Sequence, residues 1–162
     1  MFLANKNTSS TDVSNFLNDK NALKGVSKEK VSELVALKNS FIEKETFIQA
    51  EKLNTIDSYS HYLNNYPNGK YYITANGKRE NVWFKHAQQK NTPTEFRKFL
   101  RTYPESEHYQ AVREQWFQFS KDVDEIASYK EFLRGYEFTK LEQKARVKWL
   151  EIAKGEHSIS TY

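Results

Sequence analysis

One recurrence limits what this chain can fold into. A small residue returns as Ala50, Ala87, Ser120 and Ala153, and nine positions later an aromatic follows each time: Tyr59, Phe96, Tyr129 and Tyr162. Further columns run in step. They are Tyr62, Phe99 and Phe132, then Leu63, Leu100 and Leu133, then Tyr66, Tyr103 and Tyr136. Trp83, Trp116 and Trp149 precede the small residue, with Thr46 in that place in the first copy. The step is 37 residues from Leu63 to Leu100 and 33 from Leu100 to Leu133. A period of roughly 34 is the length of one two-helix unit that must stack on its neighbours to bury its apolar face.

The unit is clearest from Asn91 to Phe119. Thr92 is placed as an N-cap, Pro93 stands at the first helical position, and Glu95 completes the spacing of a capping box. Phe96, Phe99, Leu100 and Tyr103 share one helical face, and Pro104 closes the helix. Tyr109, Val112, Trp116 and Phe117 form the stripe of a second, returning helix. The expected fold class is therefore all-α.

The pattern of small residue, Asn-Thr-type cap, paired aromatics, leucine and Tyr-Pro over Thr46 to Tyr162 resembles the divergent tetratricopeptide-like repeats of bacterial proteins. That resemblance implies a right-handed solenoid of antiparallel helical hairpins and a role in binding other proteins. It places a divergent N-terminal helical pair, acting as a capping repeat, at 1–53, repeats at 54–157, and the truncated start of a further repeat at 158–162. Because a lone helical turn cannot hold itself, that truncated start leads us to expect a fragment of a larger bacterial protein, with a natural stop and a short capping tail as the alternative.

Along the chain, Thr11 to Asp19 reads as a short helix, and Ser27 caps a long one reaching about Leu53. Asn54-Thr55 caps Ile56 to Asn65, and Lys70 to Gln89 returns. Asn76-Gly77 is also a hairpin signal, but the repeat register favours helix there, with a kink or an extra residue or two near Gly77. The longer unit places its insertion in this segment. Asp124 and Glu125 are expected to open a short helix ending near Tyr136, and Phe138 to Lys154 its partner. Gly155 is expected to break that partner, with Ser158 capping the next turn.

Aromatics make up 15% of the chain and fall in the repeat columns, so they read as core rather than as a platform for stacking bases. Net charge is +4 and spread evenly. Lys and Arg against Asp and Glu number 7 and 6 over 1–46, 4 and 3 over 47–82, 6 and 4 over 83–115, and 7 and 6 over 116–148. Nucleic-acid binders concentrate positive charge on one face, so composition ranks nucleic acid behind a protein partner. There is no run of about 18 apolar residues to span a membrane. With no cysteine, disulfides and thiolate zinc sites are excluded, and no compartment is fixed. A cytoplasmic setting is the first expectation, and an envelope one follows if a leader has been removed.

No catalytic, cofactor-binding or metal-ligating pattern emerges. His61, His86, His108 and His157 lack ligand spacing, and no glycine-rich phosphate loop or nucleophile elbow occurs. Glu105/Glu107 and Asp122/Asp124 read as charges at helix starts, where the helix dipole favours them. The expectation is a non-enzymatic interaction module with no cofactor. A nucleic-acid-binding array, or a regulatory region fused to an enzyme such as a protease or kinase, stands behind it. The candidate contact residues are Arg97, Arg101, Lys130 and Arg134. They sit at i and i+4 on the short helices, off the apolar face, and would form a basic ladder facing an acidic peptide or a C-terminal carboxylate. The opposing reading is a solvated face neutralised by Glu95 and Glu131. Tyr66, Tyr103 and Tyr136 are read as plugs between paired helices rather than as ligand contacts.

Overall fold

A computed structural model describes residues 8–134 and 140–159. The described residues form eight helices and no strand. They are α1 (Ser10–Asn18), α2 (Lys28–Leu53), α3 (Ile56–Asn65), α4 (Tyr72–Lys90), α5 (Pro93–Thr102), α6 (Tyr109–Val123), α7 (Ile126–Leu133) and α8 (Lys140–Ile159). The all-α expectation holds. The chain divides into two compact units, 1–79 and 80–162, and the boundary falls inside α4.

In the first unit α1 packs on α2 and α2 on α3. Val13, Leu34, Phe47, Ala50, Tyr59, Tyr62 and Leu63 are its buried apolar residues, together with Ala75. In the second, α6 packs on α5, α7 and α8, and α7 also packs on α8. Its core gathers Ala87, Phe96, Phe99, Leu100, Tyr103, Val112, Trp116, Tyr129, Phe132 and Ala145. The aromatics that recur in the sequence thus meet inside. Trp116 stands edge-on to Phe132 at 5.8 Å, and Trp83 edge-on to Tyr103 at the same distance.

Why the long helices stop where they do is visible in one more column. Asn54, Asn91 and Asp124 each take left-handed backbone, with φ of 49°, 48° and 49°. Asn and Asp tolerate that region better than other residues bearing a Cβ. Each donates its backbone N–H to the carbonyl of the small residue four positions back: Ala50 at 2.8 Å, Ala87 at 3.0 Å and Ser120 at 3.0 Å. A single left-handed residue therefore ends the helix and turns the chain, and the next short helix starts two residues later. The side chains finish the joint. Tyr59 donates its hydroxyl to Asn54 Oδ1 (3.1 Å), and Tyr129 donates to Asp124 Oδ1 (3.3 Å). Phe96 has no hydroxyl, and Asn91 Oδ1 instead accepts from Gln115 Nε2 at 2.9 Å.

Several expectations are corrected, but the helix favoured over Asn76-Gly77 is borne out: α4 runs through both residues, with 19 residues where α6 has 15. The turns before them match: Gly69 N–H bonds Tyr66 O and Tyr72 N–H bonds Gly69 O, as Ser106 bonds Tyr103 and Tyr109 bonds Ser106. The insertion is one additional helical turn. Gly155 does not end α8, which continues through it to Ile159, so Ser158 lies within a helix rather than capping one. Ser160 to Tyr162 lie outside the described residues, as does Tyr136. Asp122 lies in the last turn of α6, where Gln118 Nε2 donates to it, and Asp124 caps that helix's C-terminus. Neither opens a helix. Thr92 Oγ1 accepts from the Glu95 amide, but the Glu95 carboxylate turns to Lys98 Nζ at 2.8 Å, so only half of the expected capping box forms.

A further column carries polar groups into the helix contacts. Seven residues before the small position stand Glu43, Glu80 and Arg113. Tyr62 donates its hydroxyl to Glu43 Oε1 at 2.7 Å and accepts from the Tyr71 amide at 3.1 Å. Burial and that carboxylate push the Tyr62 phenol up to about 12. Ser106 donates to Glu80. Arg113 on α6 pairs with Glu142 on α8, both almost wholly buried. This pair is not marked by the apolar repeat columns. The available signal was a charge on an apolar stripe in each helix, Arg113 beside Val112 and Trp116, and Glu142 three before Ala145.

Candidate docking surface

The four candidate cations divide by environment. Arg97, near the start of α5, is anchored. Its guanidinium donates to Glu131 Oε1 of α7 at 2.6 Å and lies over the Trp116 ring, 5.5 Å from the centroid. Such a pair joins the two short helices, although a pair this exposed contributes only about 0–1 kcal/mol. Arg101 is exposed in the last turn of α5. Lys130 is exposed on α7, its ammonium 5.8 Å from the centroid of Trp149.

Arg134 departs from the expected geometry. α7 ends at Leu133, so Arg134 is the residue beyond it, in extended backbone, with its N–H bonded to Glu131 O at 3.3 Å. It is exposed but is not an i+4 partner of Lys130 within a helix. The structure therefore brings Arg97 to Glu131, beside Lys130, and leaves Arg101, Lys130 and Arg134 facing solvent. Glu95 faces a different set: Lys98 at 2.8 Å and the His86 imidazole at 3.5 Å.

The two described tyrosines of the column, Tyr66 and Tyr103, pack. Tyr103 is buried against Trp83 and Phe99, and the Tyr66 ring lies 5.2 Å from that of Tyr62, its hydroxyl 3.5 Å from Thr46 Oγ1. His108 stacks on Phe84 at 4.0 Å, and its Nε2 is 3.0 Å from Asn81 Oδ1. Among the described residues, no group of three or more His, Asp or Glu side chains could hold a metal ion. Nor is any described helix long and apolar enough to cross a membrane.

Two surface grooves complete the candidates. One, of about 610 Å³, lies between α2 and α3 and is bordered by Glu45, Gln49, Asp57 and His61 over Ala50 and Leu53. The other, of about 650 Å³, lies between α6 and α8 and is bordered by Phe117, Lys121, Lys140, Gln143, Lys144, Val147 and Lys148. Sequence reasoning missed the second because its walls belong to the long helices, whose outward residues do not recur in the repeat columns.

In comparisons with family models, curated proteins and solved structures, nothing matches this chain.

Proposed function

We propose that this chain is a protein-docking module, a scaffold or adaptor built as a right-handed solenoid of tetratricopeptide-like hairpins. The partner contacts the face of the short first helices. The observation that carries the reading is the separation of roles on α5 and α7. Each helix buries one aromatic face, and outside it Arg101, Lys130 and Arg134 are exposed while Arg97 is held by Glu131. Cations presented in this way suit an acidic peptide segment or a C-terminal carboxylate, where charged groups set orientation and on-rate.

The test is a pull-down from source-cell lysate, with and without nuclease, using wild type beside Arg101→Glu/Lys130→Glu/Arg134→Glu. Arg97 is left alone because reversing it would break its contact with Glu131. A protein held by wild type, retained after nuclease and lost by the variant supports the reading. Retention of the same partner by the variant removes the short-helix face from consideration. A lane emptied by nuclease alone would instead favour nucleic acid, whose binding falls steeply with salt.

A further inference from the structure

The α6/α8 groove has the chemistry of a binding site. Lys140, Lys144 and Lys148 stand one turn apart along α8 and span about 12 Å. Lys121 faces them from α6, one turn beyond Phe117. Among the described residues that line it there is no carboxylate. Lys148 also pairs with Glu151 at 2.7 Å, an exposed contact that a partner carboxylate can replace, and Lys121 donates to Gln118 at 3.3 Å. Between the cations lies an apolar floor. Phe117 rests on Phe132 at 5.6 Å, and Val147 remains 55% exposed. Leu150, three residues on, is 47% exposed and lengthens the strip. α8 thus carries a second apolar strip, apart from the one that buries Ala145.

A cationic border around an apolar floor is complementary to one kind of occupant. We propose that the α6/α8 groove docks an acidic amphipathic helix of a partner protein. Carboxylates one turn apart face Lys140, Lys144 and Lys148, and an apolar side chain is seated on Phe117 and Val147. The inference rests on the protein-docking reading above but uses a different face. A helix laid in a groove matches the one-turn spacing of the lysines, and the floor supplies contact area that salt does not screen. Single-stranded nucleic acid is favoured by free aromatic faces for stacking, and Phe117 is engaged with Phe132. A membrane surface is the other class of occupant that a basic strip with exposed apolar residues meets, and the vesicle arm of the test decides between the two.

The probe is a fluorescein-labelled synthetic helix of about 15 residues, long enough to hold helical structure. It carries three glutamates one turn apart with leucines between them, and a scramble of equal composition is the control. Anisotropy titrations use the full chain and three variants: Lys140→Glu/Lys144→Glu/Lys148→Glu, Val147→Asp, and Arg101→Glu/Lys130→Glu/Arg134→Glu. Circular dichroism melts verify that each variant is folded. The expected result is that wild type prefers the ordered peptide to its scramble, and the groove triple raises Kd about tenfold or more, as three reversed pairs require. Val147→Asp also weakens binding, whereas the short-helix triple changes Kd by less than about twofold, as expected of sites sharing no contact.

If only the short-helix triple abolishes binding, the groove proposal is overturned and the docking reading survives on the other face. Equal binding of peptide and scramble, or no binding, overturns it too. So does a single-stranded RNA or a phosphatidylserine vesicle that binds more tightly than the peptide and is released by the groove triple. The nuclease-treated pull-down separately decides whether the chain docks proteins at all.

Discussion

The same substitution should have opposite signs at two glycines of the first unit. At Gly77, within α4, an added Cβ meets no heavy atom within 4 Å. Alanine there removes the entropic penalty of a helical glycine, a gain of about 0.8–1.0 kcal/mol. At Gly69, in the turn between α3 and α4, the new Cβ would stand 2.6 Å from Glu43 Oε1, 2.7 Å from the Tyr62 hydroxyl and 2.8 Å from Tyr66 Cβ. Carbon contacts relax to about 3.5–4.0 Å, so all three must withdraw. Tyr66 Cβ is fixed to the backbone of the same turn. The other two atoms are hydrogen-bonded to each other, and Tyr62 also holds the Tyr71 amide. Overpacking costs about 1–3 kcal/mol and loss of a hydrogen bond to a charged group about 1.5–3, offset by less than 1 from chain entropy. The net is about 1.5–6 kcal/mol of destabilisation. For a chain of this length, 1 kcal/mol moves Tm by about 2–4 °C. Gly77→Ala should therefore raise Tm by about 2–4 °C and Gly69→Ala lower it by about 3–24 °C, followed by circular dichroism at the helical band. A neutral or stabilising Gly69→Ala would show that the turn is not held by the Glu43–Tyr62 contact, and a destabilising Gly77→Ala would sink the account of α4.

Three other outcomes are expected. Arg113→Met alone strands the buried Glu142 carboxylate and should cost about 3–5 kcal/mol in urea unfolding, while Arg113→Met/Glu142→Leu recovers most of the loss. Tyr62 is neutral up to about pH 12 in the folded chain and to about pH 10 when unfolded, so the folded state binds the extra proton between those values. Its contribution is complete below pH 10 and lost as pH rises towards 12, and Tyr62→Phe should flatten alkaline melts over that window. Asn91→Ala should cost about 1–2 kcal/mol through its left-handed backbone, and Asn91→Gly much less, a contrast that thermal melts resolve.

The helices were legible because local signals agreed with the period. Ser27, Thr55 and Thr92 cap α2, α3 and α5, and Tyr59, Phe96 and Tyr129 are buried with Tyr62, Phe99 and Phe132. Where two signals conflicted, one misled. Gly155 is a helix breaker by propensity, yet α8 runs through it, since the per-residue cost of glycine is about 1 kcal/mol and neighbouring turns supply more. Asp124 looked like a helix opener because its chemistry suits an N-cap, but the same short polar side chain suits a left-handed C-cap. The Lys140, Lys144 and Lys148 row was invisible as a site. Charges one turn apart read as a solvated face until a neighbouring helix supplies the opposite wall, and that is tertiary information.

The additional turn in α4 bears on how such a chain can change length. Four residues advance a helix by about 400°, so side chains before and after an added turn keep their common face to within about 40°. A gain of two residues would set them about 200° apart and turn one group towards water. Length variation in the long helices of this architecture should therefore come in steps of four or seven residues, with intermediate steps confined to the turns. An engineered copy of α6 lengthened by four residues near Tyr109 should keep its fold, and one lengthened by two should not.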